Sequence, residues 1–151
     1  MTTPIVQTDQ AVTLVGGGDA APADLRLALS HAPVLVAADG GAVAADALGR
    51  VPYAVIGDFD SIPERLRRAW PDGIQHPIPE QDSTDFDKCL RNIAAPLILA
   101  VGFTGARIDH QLAAFNTLVR YPDTRCVMIG REEIVFAAPP RLRLDLEPGD
   151  V

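Results

Sequence analysis

Residues Val55 to Ile62 read VIGDFDSI, an apolar run that ends in two aspartates one residue apart, Asp58 and Asp60. A carboxylate taken out of water is costly unless it is paired, hydrogen-bonded or bound to a cation, and a bare turn needs only one Asp. The placement recurs along the chain. Asp39 follows VLVAA, Asp82 and Asp85 stand in QDSTDFDK, and Asp109 follows LILAVGFTGARI. Two carboxylates about 4 Å apart repel by about 4 kcal/mol at an effective dielectric near 20, so several acids on one rim require a compensating cation. Oxygen-only ligands suit Mg²⁺, which is typically held by one or two carboxylates together with substrate phosphates. The chemistry such a rim predicts is metal-assisted phosphate transfer.

Neighbouring residues agree with that chemistry. Gly16 to Gly18, Gly40 with Gly41, and Gly102 with Gly105 allow close backbone approach and present N–H groups to phosphate. Thr84 and Asp85 open a helix, whose positive end favours an anion. Lys88 is the single lysine among 13 basic residues and lies one turn into that helix. Arg107 precedes Asp109, where a guanidinium can clamp phosphate oxygens in bidentate fashion. Taken singly, each has an ordinary structural role. Asp39 and Asp58 are turn formers, Thr84 is a helix cap, Lys88 is a solvated partner of Asp85, and His110 beside Asp109 is a solvent-facing histidine. His31 and His76 lack metal-ligand spacing, and Cys89 and Cys126 lack CxxC spacing, which leaves them as core thiols. Neither GxxxxGK[ST] nor GxGxxG occurs. Acid at four successive strand ends is what these ordinary roles leave unexplained.

The strands that would place those acids are AVTLVGG (11–17), VLVAADGG (34–41), YAVIGD (53–58), LILAVG (97–102) and CVMIG (126–130), each apolar enough for burial on both faces. Helical patterns fall between them at 23–30, 42–48, 63–70, 85–93 and 109–120. In the third, Ser61 and Glu64 have capping-box spacing; in the fourth, Phe86, Cys89, Leu90 and Ile93 form one apolar face. The alternation predicts a doubly wound α/β fold with a mainly parallel sheet and helices on both faces. Ligands of such sheets bind beyond the carboxyl ends of the strands, where the acids stand. A length of 151 residues suits one domain with a core, and the net charge of −7 opposes loose binding to nucleic acid or an anionic membrane. No apolar run reaches membrane-spanning length and MTTPIVQTDQ lacks a signal-peptide pattern, so a cytoplasmic address is expected. From Arg141 onward, Leu142, Leu144 and Leu146 alternate with charged residues at period 2, the pattern of a half-exposed antiparallel strand. Such a strand calls for a partner, either Ile134 to Ala137 or a further domain.

The ordered set ADGGA (38–42), VIGDFDSI (55–62), QDSTDFDKCL (81–90) and GFTGARIDHQLAAFNTL (102–118) resembles the thiamine pyrophosphokinase family in order and spacing. The likeness covers roughly Val12 to Gly130. It implies Mg²⁺-dependent transfer of pyrophosphate from ATP to the hydroxyl of thiamine, giving thiamine diphosphate and AMP. It further implies metal-binding carboxylates at Asp58, Asp60 and Asp85, ATP or phosphate contacts at Asp39, Gly40, Thr84, Lys88, Arg107 and Asp109, and a homodimer. Under the same resemblance residues 1–131 form the α/β catalytic domain and residues 132–151 begin a β-sandwich thiamine-binding domain, of which RLRLDLEPGDV, ending at Val151, resembles the first strand and turn. Val43 stands where the family usually has Asn. Alternatives left open by the residues themselves are a pyrophosphokinase for another alcohol, such as a hydroxymethylpterin, a hydrolase with water as acceptor, and a nucleotide-binding module without turnover.

Overall fold

In a computed structural model that describes residues 3–150, the chain runs through β1 (Val6–Gln7), β2 (Val12–Val15), α1 (Pro22–His31), β3 (Val34–Ala38), α2 (Gly41–Ala47), β4 (Ala54–Gly57) and α3 (Glu64–Ala69). A short 3₁₀ turn at Asp72–Ile74 leads to β5 (Gln75–Pro77), followed by α4 (Asp85–Leu90), β6 (Ile93–Ala94), β7 (Ile98–Val101), α5 (Ile108–Arg120), β8 (Cys126–Ile129) and β9 (Ile134–Phe136). Met1, Thr2 and Val151 lie outside the described residues, so the ends of the leader and tail patterns fall there too.

Seven strands form one sheet in the order β5-β4-β3-β2-β7-β8-β9, parallel throughout except for the antiparallel β8–β9 edge. All five apolar runs are strands of this sheet. Their alternate side chains feed two cores. On one face Leu14, Val36, Ile56, Ile98 and Met128 pack with Phe86, Cys89 and Leu90 of α4 and Ala114 and Leu118 of α5. On the other, Val15, Leu35, Val55 and Val101 meet Leu25 and Ala28 of α1, Ala42 and Ala45 of α2, and Leu66 of α3. Helices thus cover both faces, as a continuous apolar strand requires. Chain order reverses between β2 and β7: from β2 the chain proceeds to β3 on one side, and from β7 to β8 on the other. That point is where an open α/β sheet leaves a crevice.

Three local expectations change. The capping box at Ser61 is not formed: Pro63 is the N-cap of α3 without a side-chain cap, and the Ser61 backbone N–H donates instead to Asp39 Oδ2 at 3.2 Å. Helix α4 ends at Leu90 rather than Ile93. Asn92 Nδ2 donates to the Lys88 carbonyl at 2.8 Å, and Ile93 and Ala94 pair in parallel with Val6 and Gln7. Ile93 reaches the same apolar core from a strand, so its helical spacing misleads. Finally, Leu142, Leu144 and Leu146 form no strand and are 50%, 53% and 62% exposed. Ile134–Phe136 pairs with β8 instead. Period-2 patterning specifies a strand only where a ladder partner supplies hydrogen bonds.

Candidate active site

A cleft of about 580 Å³ opens at the carboxyl ends of β2, β3, β4 and β7, over the reversal point. Its walls include Gly17 and Gly18 after β2, Asp39 and Gly40 after β3, Asp58 after β4, Thr84, Asp85 and Lys88 at α4, and Arg107 and His110 at the start of α5. A smaller hollow of about 310 Å³ lies at the opposite ends of β3 and β4, lined by apolar residues together with Arg50 and Tyr53.

Among the described residues two that are not glycine have left-handed backbones, Asp39 at φ 39° and Phe59 at φ 70°, and both sit at strand ends on this rim. Each costs on the order of 1–3 kcal/mol and persists only where its surroundings enforce it. For Phe59 the enforcing contact is its ring, 8% exposed in the core with Leu66 and Trp70, under the Arg67 guanidinium at 5.8 Å. This turn separates the paired aspartates. Asp58 enters the cleft wall, whereas Asp60 stays exposed and gives its backbone N–H to Asp58 Oδ1 at 3.2 Å. Asp39 is held by close packing: a Cβ on Gly57 would lie 2.7 Å from Asp39 Cβ, so only glycine lets β4 end there. Asp39 is 3% exposed, its Oδ2 accepts from the Ser61 backbone N–H, and its Oδ1 has no partner among the described residues.

Lys88 is 1% exposed, and its Nζ stands 3.5 Å from Asp58 Oδ2 and 3.4 Å from Asp85 Oδ1. The ordinary role of a solvated lysine is therefore excluded. Burial raises the Asp58 carboxyl, but the Asp60 N–H, Lys88 and Gln81 outweigh it and hold the group below its usual range. Asp85 moves the opposite way. Burial and then the charge of Asp39, aided by Asp58, push it up against the pull of Lys88. Thr84 caps α4, its hydroxyl accepting from the Asp87 N–H at 3.2 Å. At the mouth, Arg107 Nε and Nη2 clasp Asp109 at 3.1 and 2.5 Å. The Arg107 hydrogen bond holds Asp109 below the usual carboxylate range.

The cleft thus gathers Asp39, Gly40, Asp58, Thr84, Asp85, Lys88 and Arg107, while Asp60, Asp82 and Asp109 do not line it. Val43 is exposed on α2 and also lies outside the lining. Cys89 and Cys126 are free buried thiols, the latter pushed up to about 12 by burial. Sequence reasoning missed Gln81, which donates to Asp58 Oδ2, and the tilted pair Phe86–Phe103, 4.6 Å apart, whose rings line the cleft. It also missed Asp87, signalled only by a second acid two residues after Asp85 in the same short helix. A buried carboxylate oxygen without a partner, beside two further carboxylates, fits a hard cation shared with phosphate oxygens. Among the described residues no group of three or more His, Cys, Asp or Glu is close enough to hold an ion alone.

The sequence model of the family described as thiamin pyrophosphokinase, catalytic domain, matches residues 25–129. The chain is 32% identical over 107 residues to thiamine pyrophosphokinase 2 of Arabidopsis thaliana, covering 63% of this chain and 40% of that protein. It resembles the crystal structure of thiamin pyrophosphokinase from Geobacillus thermodenitrificans with TM-score 0.63 and 30% identity, covering 79% of this chain and 59% of the other. For the Bacillus subtilis thiamine pyrophosphokinase structure the values are 0.64, 27%, 81% and 61%. The chain therefore spans less than two thirds of each of these relatives.

Proposed function

The chain belongs to the thiamin pyrophosphokinase catalytic-domain family, and from that premise we propose that it carries the ATP-binding half of a Mg²⁺-dependent thiamine pyrophosphokinase. The reaction transfers the pyrophosphoryl group of ATP to the thiamine hydroxyl, so attack falls on the β-phosphorus and AMP leaves. The observation that carries this reading is the unpartnered Asp39 Oδ1 in a cleft that also holds Asp58, Asp85 and the buried Lys88.

In this proposal Asp58, Asp60 and Asp85 are the metal carboxylates, Asp58 and Asp85 from the cleft wall and Asp60 from its exposed rim. Bound Mg²⁺ would supply charge neutralisation at the phosphate oxygens. The protein's own share is positioning and electrostatics, which dominate phosphoryl-type transfer. Lys88 places a cation between Asp58 and Asp85 in the cleft wall, where it would face phosphate oxygens. Thr84, Gly40 and Asp39 form the surrounding wall, and Arg107, held by Asp109, supplies a guanidinium at the mouth. In the same reading the thiamine-binding domain expected over residues 132–151 opens after β9, because Ile134–Phe136 is the edge strand of the α/β sheet, and a homodimer and a cytoplasmic address belong to it. Among the described residues no helix is long and apolar enough to cross a membrane.

Calorimetry of ATP binding with and without Mg²⁺ tests the metal assignment. Loss of a charge-assisted contact of about 1.5–3 kcal/mol predicts at least tenfold weaker Mg·ATP binding in Asp58→Asn. Affinity indifferent to both metal and substitution would make the carboxylate pair structural. Chromatography of spent nucleotide tests the bond broken: AMP is expected, and ADP with free phosphate would remove the pyrophosphokinase assignment.

A further inference from the structure

Asp87 stands between Asp85 and Lys88 on α4, yet it does not line the cleft and is only 4% exposed. Its Oδ1 accepts from Arg120 Nη1 at 3.1 Å and from the Tyr121 hydroxyl at 3.2 Å, while Arg91 Nη1 stands 4.0 Å from Oδ2. Successive helical residues project about 100° apart, which separates Asp87 from the Asp85 and Lys88 pair on the same short helix. The network continues. Arg91 also pairs with Glu80, Glu80 accepts from the Ser83 hydroxyl, and Ser83 lines the cleft.

Helix α4 has six residues, too few to hold its own geometry, so tertiary contacts decide where its side chains stand. Phe86, Cys89 and Leu90 supply non-directional apolar contacts to the sheet. A carboxylate with two aligned donors adds direction, since hydrogen bonds weaken steeply off their axis. The partner Arg120 is 59% exposed and keeps part of its hydration, which limits the cost of burying Asp87.

We propose that Asp87 is a positioning residue: bound by Arg120 and Tyr121 at the end of α5, it fixes α4 and thereby holds Lys88 between Asp58 and Asp85 for Mg·ATP binding. The proposal rests on the nucleotide reading given above. A residue serving stability alone would leave affinity unchanged in protein that remains folded. Asp87→Ala removes the acceptor, whereas Asp87→Asn keeps Oδ1 in place. Calorimetry well below the melting temperature should give at least tenfold weaker Mg·ATP binding for the alanine variant and recovery to within threefold of wild type for the asparagine variant. A folded alanine variant within threefold of wild type, or an asparagine variant no better than alanine, overturns the proposal. Should the alanine variant not fold, Tyr121→Phe decides: a loss of threefold or more supports the clamp, and an unchanged Kd overturns it. Should wild type itself not bind Mg·ATP, the nucleotide reading fails separately. Hydrogen exchange at the α4 amides then judges the clamp: at least tenfold faster in Asp87→Ala and restored in Asp87→Asn supports it, and unchanged rates overturn it.

Discussion

Asp58 and Asp85 flank the same ammonium and titrate in opposite directions, because their surroundings differ more than their distances to Lys88 do. Asp58 collects the Asp60 N–H and the Gln81 amide as well, while Asp85 faces the charge of Asp39 with fewer donors. The signs follow from linkage. A lowered carboxyl contributes stability that is present above its unfolded pKa and lost as the pH falls through the folded one, so Asp58 stabilises the fold at neutral pH. A raised carboxyl does the reverse: Asp85 is held charged at neutral pH against burial and repulsion, and that cost is relieved as the pH falls through its raised pKa. Asp85→Asn should therefore raise the stability of the nucleotide-free protein at pH 7, by up to about 1 kcal/mol for a partly solvated group, while weakening Mg·ATP binding at least tenfold. Denaturant melts at pH 7 and pH 4 check the first part, since the gain should shrink at the lower pH. A variant that is both less stable and still binds would contradict it. Stability given up for a charged binding wall is a common trade in functional clefts.

At the scale of elements, the strand ends are built by close approach. A Cβ on Gly41, the first residue of α2, would lie 2.0 Å from the Val15 carbonyl oxygen, and that contact seats α2 on the end of β2. Replacing a helical glycine by alanine ordinarily stabilises by about 0.5–1 kcal/mol. Here the clash is with backbone, so Gly41→Ala should destabilise by about 2 kcal/mol or more. Gly73, in the 3₁₀ turn, has open space where a Cβ would stand, and Gly73→Ala should be neutral or slightly stabilising, within about 1 kcal/mol. Urea melts of the two variants give opposite signs if this account holds. Most elements were legible in the sequence, because β2, β3, β4, β7 and β8 are apolar on both faces and the helices between them carry their own period. What was not legible depended on partners. The edge strand β5 is three residues long, includes His76 and Pro77, and exists through its pairing with β4. Ile93 satisfied a helical pattern from a strand.

Across the whole molecule, the site was legible as a set of residue types and not as a geometry. Acid at successive strand ends located the rim, but sequence did not separate Asp58, turned inward by the Phe59 backbone, from Asp60, left on the outside. Nor did it show that Lys88 is buried or that Asp87 ties its helix to α5. Those facts follow from which helix packs on which face, information that no local pattern contains. The tail shows the same limit from the other side. Its alternating leucines read as a strand, yet the hydrogen bonds found along residues 141–150 are local, Arg143 to Asp145, Glu147 to Asp150 and Asp150 back to Glu147. Both cores and the cleft are complete without it, because the final contribution to the sheet is Ile134–Phe136 and Val135 is the last residue packed on the core. Deleting residues 138–151 should then leave the melting temperature within about 2 °C, as expected for a change under roughly 0.5 kcal/mol. Mg·ATP affinity should stay within twofold, and self-association should fall, since three half-exposed leucines leave with the segment. Calorimetry and sedimentation of the shortened chain check all three. A large drop in melting temperature would mean that the tail packs on the body after all, and a loss of affinity alone would mean that it closes over the cleft.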